Sequence, residues 1–378
     1  MASLAKLETP RLLLDADRLE RNAAMMRDRA AQLGVRLRPH LKTPKSIDVA
    51  RVAGGGSFLP GTVSTVNEAE YFARGGVKDL LFAQGLTLNK LPRILAIERE
   101  TGARITLLTD DMGTLRALAD ETARQGVSVA LAIEIDSGEH RGGLRADNPE
   151  VVRLAQAAAA APGLDFRGVM THAGHSYATN DLAEVRRIAG AERDAAVFAA
   201  EAIRKAGVPV AMVSVGSSPT VLHAEHLRGV TEMRCGIYLF WDLSQVSRNI
   251  CRLDDIAVSV LTSVIGHNRE QGYLLVDAGA LAMSKDIGPH KYMPQAGFGL
   301  LCDADSSAPL GNLAIATVYQ EHGVVPVADP IWFDRLPVGA LARVFPNHAC
   351  ITAAAYPGYD VVRGAEVVGY WPRTNGWA

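Results

Sequence analysis

The sequence predicts an α/β fold in which a (β/α)8 TIM barrel is followed by a β domain. Three features of the 378 residues carry that reading. From about residue 11 to 240, short β-rich runs alternate with longer alanine-rich stretches whose apolar positions fall at helical spacing, so the strands should pair in parallel. Roughly eight such units are present, which suits a barrel better than the alternative, an open doubly wound sheet. After about residue 245 the rhythm changes to strand-like runs divided by Gly, Pro, Asp and Asn, with few helical stretches between them.

The first run, RLLLDAD, precedes the first helix and would be a ninth strand if the barrel closes with eight, so it is expected to pair with the β domain. The helix LERNAAMMRDRAAQL follows, and VRLRPH is the first barrel strand. GTVST is the second, and TVNE at residues 65–68 fits a capping box, so a helix should begin directly after it. DLLFAQ, RITLLTD, SVALAIEID, FRGVMTHAG, MVSVGS and EMRCGIYLF complete the barrel, with EVRRIAGAERDAAVFAAEAIRKAG as a long outer helix ending on glycine. DIAVSVLTSVIGH, GYLLVDAGA, LAIATVYQEHGVV, ALARVFPNHACIT and AEVVGYWP are the strands of the second part. The barrel is therefore expected over residues 20–245, and the β domain over 246–378 with the N-terminal strand within 1–19. No internal repeat or low-complexity tract interrupts this order.

Composition excludes several functional classes. Hydrophobic residues make up 48%, charged residues 21% and the net charge is -2, so no basic field for nucleic acid is present. MASLAKLETP lacks the apolar core of a signal peptide and no run approaches a membrane span, which points to a cytoplasmic protein acting on a small molecule. Cys235, Cys251, Cys302 and Cys350 form no CxxC and are too scattered for a disulfide framework, so they are expected reduced.

In a parallel barrel the strand ends and the loops after them carry the chemistry. Lys42 ends the first strand, and Arg36, Arg38, His40 and Lys42 share one side of the extended chain, which calls for an anion opposite them. Thr43 is expected to cap a helix with Pro44 at its first position, which would put Lys45 on an exposed first turn and leave Lys42 facing the barrel mouth. An isolated lysine usually means solvation; one in an arginine-rich mouth can give up its proton and act as a nucleophile. Arg141 follows EIDSGEH, and MTHAGHSY supplies His172, His175 and Tyr177. VGSSPT offers Ser217 and Ser218 at a strand-to-helix turn, where hydroxyls and backbone N–H groups can meet a phosphate, although such turns usually just end strands. RCGIY adds Arg234, Gly236, Ile237 and Tyr238. His348 and Cys350 in NHAC, read as two residues apart on a strand, would face the same way, and imidazole with thiolate suits Zn²⁺; a bare HxC is more often coincidence.

Taken in order, TPRLLLDADRLERN, RLRPHLKTPKS, VSTVNEAEYFARGG, IEIDSGEHRGGL, THAGHSY, SVGSSPT, EMRCGIYLFWD, VDAGALAMSKD, QEHGVV and PNHAC resemble the D-serine dehydratase and D-threonine aldolase group of fold-type III pyridoxal-phosphate enzymes. The resemblance spans almost the whole chain. It implies an alanine-racemase-type barrel with a C-terminal β domain, usually dimeric, that binds pyridoxal 5'-phosphate (PLP) and a divalent metal, Zn foremost with Mn, Mg or Co as alternatives. Lys42 would be the Schiff-base lysine. Arg141 would lie near the cofactor's phenolic oxygen, His172 beside the ring and Arg234 near the pyridine nitrogen. Ser217, Ser218, Gly236 and Ile237 would cradle the phosphate, with cofactor contacts from Tyr177 and Tyr238. That phosphate is the candidate anion, while Arg36 and Arg38, lying deeper, would pair with barrel carboxylates such as Glu134. His348 and Cys350 would bind the metal, in the His-x-Cys form of the dehydratases; typical D-threonine aldolases carry His-x-Asp.

The implied reaction is loss of water from a 3-hydroxy D-amino acid such as D-serine, D-threonine or D-threo-3-hydroxyaspartate, giving a 2-oxo acid and ammonia. The alternative is retro-aldol cleavage to glycine and an aldehyde, with His172, His175 or Tyr177 as base. A PLP carrier without turnover would lack the second domain, and a racemase would need a further acid/base that the sequence does not supply.

Overall fold

The computed structural model describes residues 2–377. The chain divides into two compact units, one formed by Ala24–Gly236 and the other joining the residues up to Ala23 with Ile237–Asn375.

The first unit is built on eight strands: β1 (Arg36–Leu37), β2 (Gly61–Val63), β3 (Asp79–Gly85), β4 (Arg104–Thr109), β5 (Val129–Asp136), β6 (Leu164–Thr171), β7 (Met212–Val215) and β8 (Glu232–Met233). Neighbours run β1-β8-β7-β6-β5-β4-β3-β2, all parallel. The ring closes where the continuation of β1 bridges β2: Leu41 N–H donates to Thr62 O at 2.7 Å and Thr62 N–H to Pro39 O at 2.9 Å. Val129–Ile133 is buried at every position, as a strand covered on both faces must be. Leu81, Leu108, Ala132, Met170 and Met212, one from each of five successive strands, form an apolar cluster.

Local signals set the helix starts. Thr65 Oγ1 accepts the Glu68 N–H at 3.0 Å, and the Glu68 carboxylate reaches back to the Ser64 N–H at 2.8 Å, so the box at 65–68 is made one residue further back than its usual form. Asp181 caps the long helix Leu182–Lys205 through the Ala183 N–H. That helix buries Ile188, Glu192, Ala196, Ala199 and Ile203 along one stripe, with a single acid among apolar neighbours.

Thr43 does not cap a helix. The chain turns after Lys42, with Lys45 N–H on Leu41 O, Lys45 at φ 47°, and the helix Ile47–Ala53 begins after Ser46. Lys45 is consequently not on an exposed turn: its Nζ lies 3.3 Å from the buried Glu68 carboxylate.

In the second unit, Arg11–Asp15 pairs antiparallel with Val258–Asn268 and parallel with Gly358–Arg363. Arg11 forks onto Asp360 at 2.7 and 3.0 Å, and Leu4, Leu13, Leu261 and Val362 form the core beneath. Val258–Asn268 also pairs with Leu341–Phe345, the strand that leads to His348. No described helix is long and apolar enough to cross a membrane.

Candidate active site

The C-terminal ends of the barrel strands place the side chains. Lys42 follows β1, Arg141 follows β5, His172 follows β6, Ser217 and Ser218 follow β7, and Arg234 follows β8. Lys42, Arg141, His172 and Arg234 line one cavity of about 560 Å³, together with His40 and Glu134, a volume suited to a cofactor.

The arginines below this cavity have their own partners. Arg38, 4% exposed, donates to Glu232 at 2.8 Å and forks onto Asp79 at 2.9 and 3.0 Å; Arg36 reaches Glu232 at 3.3 Å. Glu134 is not their partner, contrary to the sequence reading: it lines the cavity above, where Arg141 faces it, and burial raises its pKa. From Glu232 the network continues upward through Ser214 Oγ to Arg234, whose Nε donates to that hydroxyl at 2.9 Å. Arg234 also donates to Thr171 O, and Glu192, Glu232 and Glu134 offset the cost of burying its charge.

The imidazoles here are neutral. His172 Nδ1 lies 2.6 Å from Gly216 O, so it carries the proton and Nε2 keeps its lone pair. Burial and then the charge of Arg234 hold its pKa down to about 3. Burial, with Lys42 and Arg234, keeps His40 well below the usual histidine range.

The turns after β7 and β8 are tight. Gly216 has φ +138°, and a Cβ there would lie 2.6 Å from Arg234 O; a Cβ at Gly236 would lie 2.7 Å from His40 O. Ser217 Oγ is engaged by Thr220 and Ser176. Ser218 N–H approaches Tyr177 Oη at 3.4 Å, while Ser218 Oγ is buried with no protein partner. A buried hydroxyl in that state asks for an acceptor or donor from outside the chain, and with a lysine and two arginines around the adjoining cavity the residues present fit a phosphate-bearing aldehyde such as PLP. Ile237 and Tyr238, buried at 9% and 0%, open the second unit as the start of a 3-10 turn.

His348 and Cys350 lie in the second unit, and not on a strand as the sequence suggested. The strand ends at Phe345, the carbonyls of Pro346 and Asn347 are taken by the N–H groups of Leu243 and Ser244, and Cys350 falls in the short helix Ala349–Ala353 that His348 caps. The two side chains nevertheless interact. His348 Nδ1 donates to Asp286 at 3.1 Å. Buried Asp242 holds the Ala349 N–H at 3.1 Å from below. Burial opposes protonation of His348, but Asp286 and Cys350 outweigh it and push the pKa up to about 11. So much negative charge around one imidazole fits a bound cation.

Sequence reasoning missed Glu192, Glu232, Asp79, Asp242 and Asp286. Glu192 alone left a signal, an acid on the apolar stripe of a long helix.

Residues 14–244 match the alanine racemase N-terminal domain and residues 257–362 the domain described as "Putative serine dehydratase domain". The chain is 39% identical to D-threo-3-hydroxyaspartate dehydratase of Delftia sp. over 99% of both chains, and 29% identical to D-serine dehydratase of Dictyostelium discoideum over 94% of this chain and 93% of that one. It is 32% identical to 3-hydroxy-D-aspartate aldolase of Paracoccus denitrificans over 97% of this chain and 92% of that one. The solved Delftia dehydratase superposes with a TM-score of 0.96 over the whole of both chains at 38% identity. Solved variants of that enzyme include a cysteine-to-alanine form described as metal-free and a histidine-to-alanine form, the altered positions standing two residues apart. With both of its domains matched and its full length aligned to such relatives, the chain belongs to the alanine-racemase-like family of PLP-dependent lyases that holds these dehydratases and aldolases.

Proposed function

We propose that this lyase dehydrates 3-hydroxy D-amino acids, D-threo-3-hydroxyaspartate, D-serine or D-threonine, to a 2-oxo acid and ammonia. The observation that carries the reading is the contact of His348 with Cys350 beside the carboxylates of Asp286 and Asp242, at the spacing of the two positions altered in the metal-free and histidine variants of D-threo-3-hydroxyaspartate dehydratase. Imidazole and thiolate favour Zn²⁺, with Mn²⁺, Mg²⁺ or Co²⁺ as harder alternatives. Among the described residues no three of His, Cys, Asp and Glu form a complete cage; a site with two protein ligands keeps positions for substrate and water.

When bound, PLP supplies an aldehyde for the amine and a ring that takes up electrons, and the metal supplies a Lewis acid for the β-hydroxyl. Lys42 would hold the cofactor through Nζ and would be the base placed to take the α-proton. Neutral His172 would support the ring with Nε2 as an acceptor, Arg234 would hold the ring nitrogen without giving up a proton, and Arg141 would hold the phenolic oxygen. Ser217, Ser218, Tyr177 and Gly236 would make up the phosphate end. An arginine at the nitrogen would make the ring a weaker electron sink, so assistance at the hydroxyl would matter more. The barrel over 20–245, the β domain over 246–378, a homodimer and a cytoplasmic setting belong to the same reading.

Retro-aldol cleavage is the second reading, favoured by the lone pair on His172 Nε2 and by the aldolase relative. Pure protein with PLP and Zn²⁺ is incubated with each of the three substrates, and ammonia is assayed against glycine. Ammonia should predominate and vanish on chelation; glycine as main product overturns the dehydratase reading in favour of the aldolase.

A further inference from the structure

Glu192 sits in the middle of a helix face made otherwise of apolar residues, 2% exposed. A buried carboxylate is costly unless its oxygens are occupied, and here three donors occupy them. Ala173 N–H at 2.9 Å and Gly216 N–H at 3.0 Å share Oε1, and the Thr220 hydroxyl donates to Oε2 at 2.7 Å. The donors come from three separate places: the end of β6, the turn after β7, and the helix that follows that turn.

Two of the donors adjoin His172 at the cavity, and the third adjoins Ser217. Ala173 follows His172, and Gly216 uses its carbonyl to hold the His172 ring at 2.6 Å. Thr220 Oγ1 receives the Ser217 N–H at 3.1 Å and touches Ser217 Oγ at 3.0 Å. At φ +138° Gly216 has backbone freedom that an ordinary residue lacks, so something other than its own sterics must hold it. We propose that Glu192 is a positioning residue for phosphate binding: it ties the Gly216–Ser218 turn to the end of β6 and so fixes Ser218 Oγ in its working place. The assignment rests on the PLP reading above.

A role in stability alone would weaken every ligand of the barrel together; a role in the phosphate turn weakens only ligands that carry a phosphate. Cofactor-free protein is titrated with PLP and with pyridoxal, which lacks the phosphate, following the absorption of the bound aldehyde. For Glu192→Gln, PLP affinity should fall about ten-fold while pyridoxal affinity changes less than about two-fold. Thr220→Val should lower the PLP-to-pyridoxal ratio about three-fold and Thr220→Ser should restore it. Glu184→Gln, exposed on the same helix, should leave the ratio unchanged. A ratio in Glu192→Gln equal to that of the parent protein overturns the assignment; if that variant does not fold, an unchanged ratio in Thr220→Val does so. A parent protein that binds neither aldehyde overturns the cofactor reading and this assignment with it, whereas parent binding with an unchanged variant ratio sinks the Glu192 role alone.

Discussion

His172 in the barrel and His348 in the β unit are both half-buried, yet their surroundings push them in opposite directions. Burial and Arg234 hold His172 down to about 3, whereas Asp286 and Cys350, against burial, raise His348 to about 11. Positive charge in the barrel cavity resides on arginine and lysine while the imidazoles stay neutral, which suits a dianion that must be gripped without proton traffic. The β unit has an excess of negative charge, which suits a metal ion. One residue type thus reports the sign of the local charge at each place.

The largest expected effect tests the barrel half of that contrast. Lys42→Ala should lower turnover on the preferred substrate by about 10⁴-fold and remove the absorption of the lysine-bound cofactor; a loss under ten-fold would remove Lys42 from the chemistry. A second effect follows from linkage. A histidine whose folded pKa lies below its unfolded value stays neutral while the unfolded chain takes up a proton, so stability falls as pH drops from about 6.5 toward about 3. His172 should account for roughly 3–5 kcal/mol of that acid limb, read as a shallower slope in denaturant titrations of cofactor-free His172→Gln. His348 has the reverse sign: in metal-free protein its contribution is fully present below about 6.5 and is lost as pH rises toward about 11. His348→Gln should flatten that alkaline limb. The smallest effect sharpens the β half: Asp286→Asn should weaken metal affinity by about 10–100-fold with PLP absorption unchanged, measured by competition with a chelating dye.

Much of this was legible because strand ends carry short, chemically odd motifs. Lys42, Arg141, His172 and Arg234 were each found as a polar residue at the end of an apolar run, and the structure gathers them around one cavity. The partners that set their charges were harder to find. Glu232 stands two residues from Arg234, but nothing in a linear reading says that it meets Arg38 on the neighbouring strand. Pairing of that kind depends on which strands become neighbours when the ring closes. His348 and Cys350 are brought together although no strand carries them, because their interaction comes from the turn after Phe345 and not from strand alternation. Asp286 and Asp242 reach this turn from distant segments whose sequence looks like ordinary loop.

The strand Arg11–Asp15 has a consequence for how the protein is made. It leaves the ribosome well before its antiparallel partner, Val258–Asn268. At about 5–20 residues per second the partner appears some 10–50 s later. The barrel can close during that wait, while the apolar face of Leu12–Leu14 stays open to chaperones. Slow translation or loss of a holdase should therefore show first as aggregation seeded by the amino-terminal segment, long before any defect in the cavity is visible.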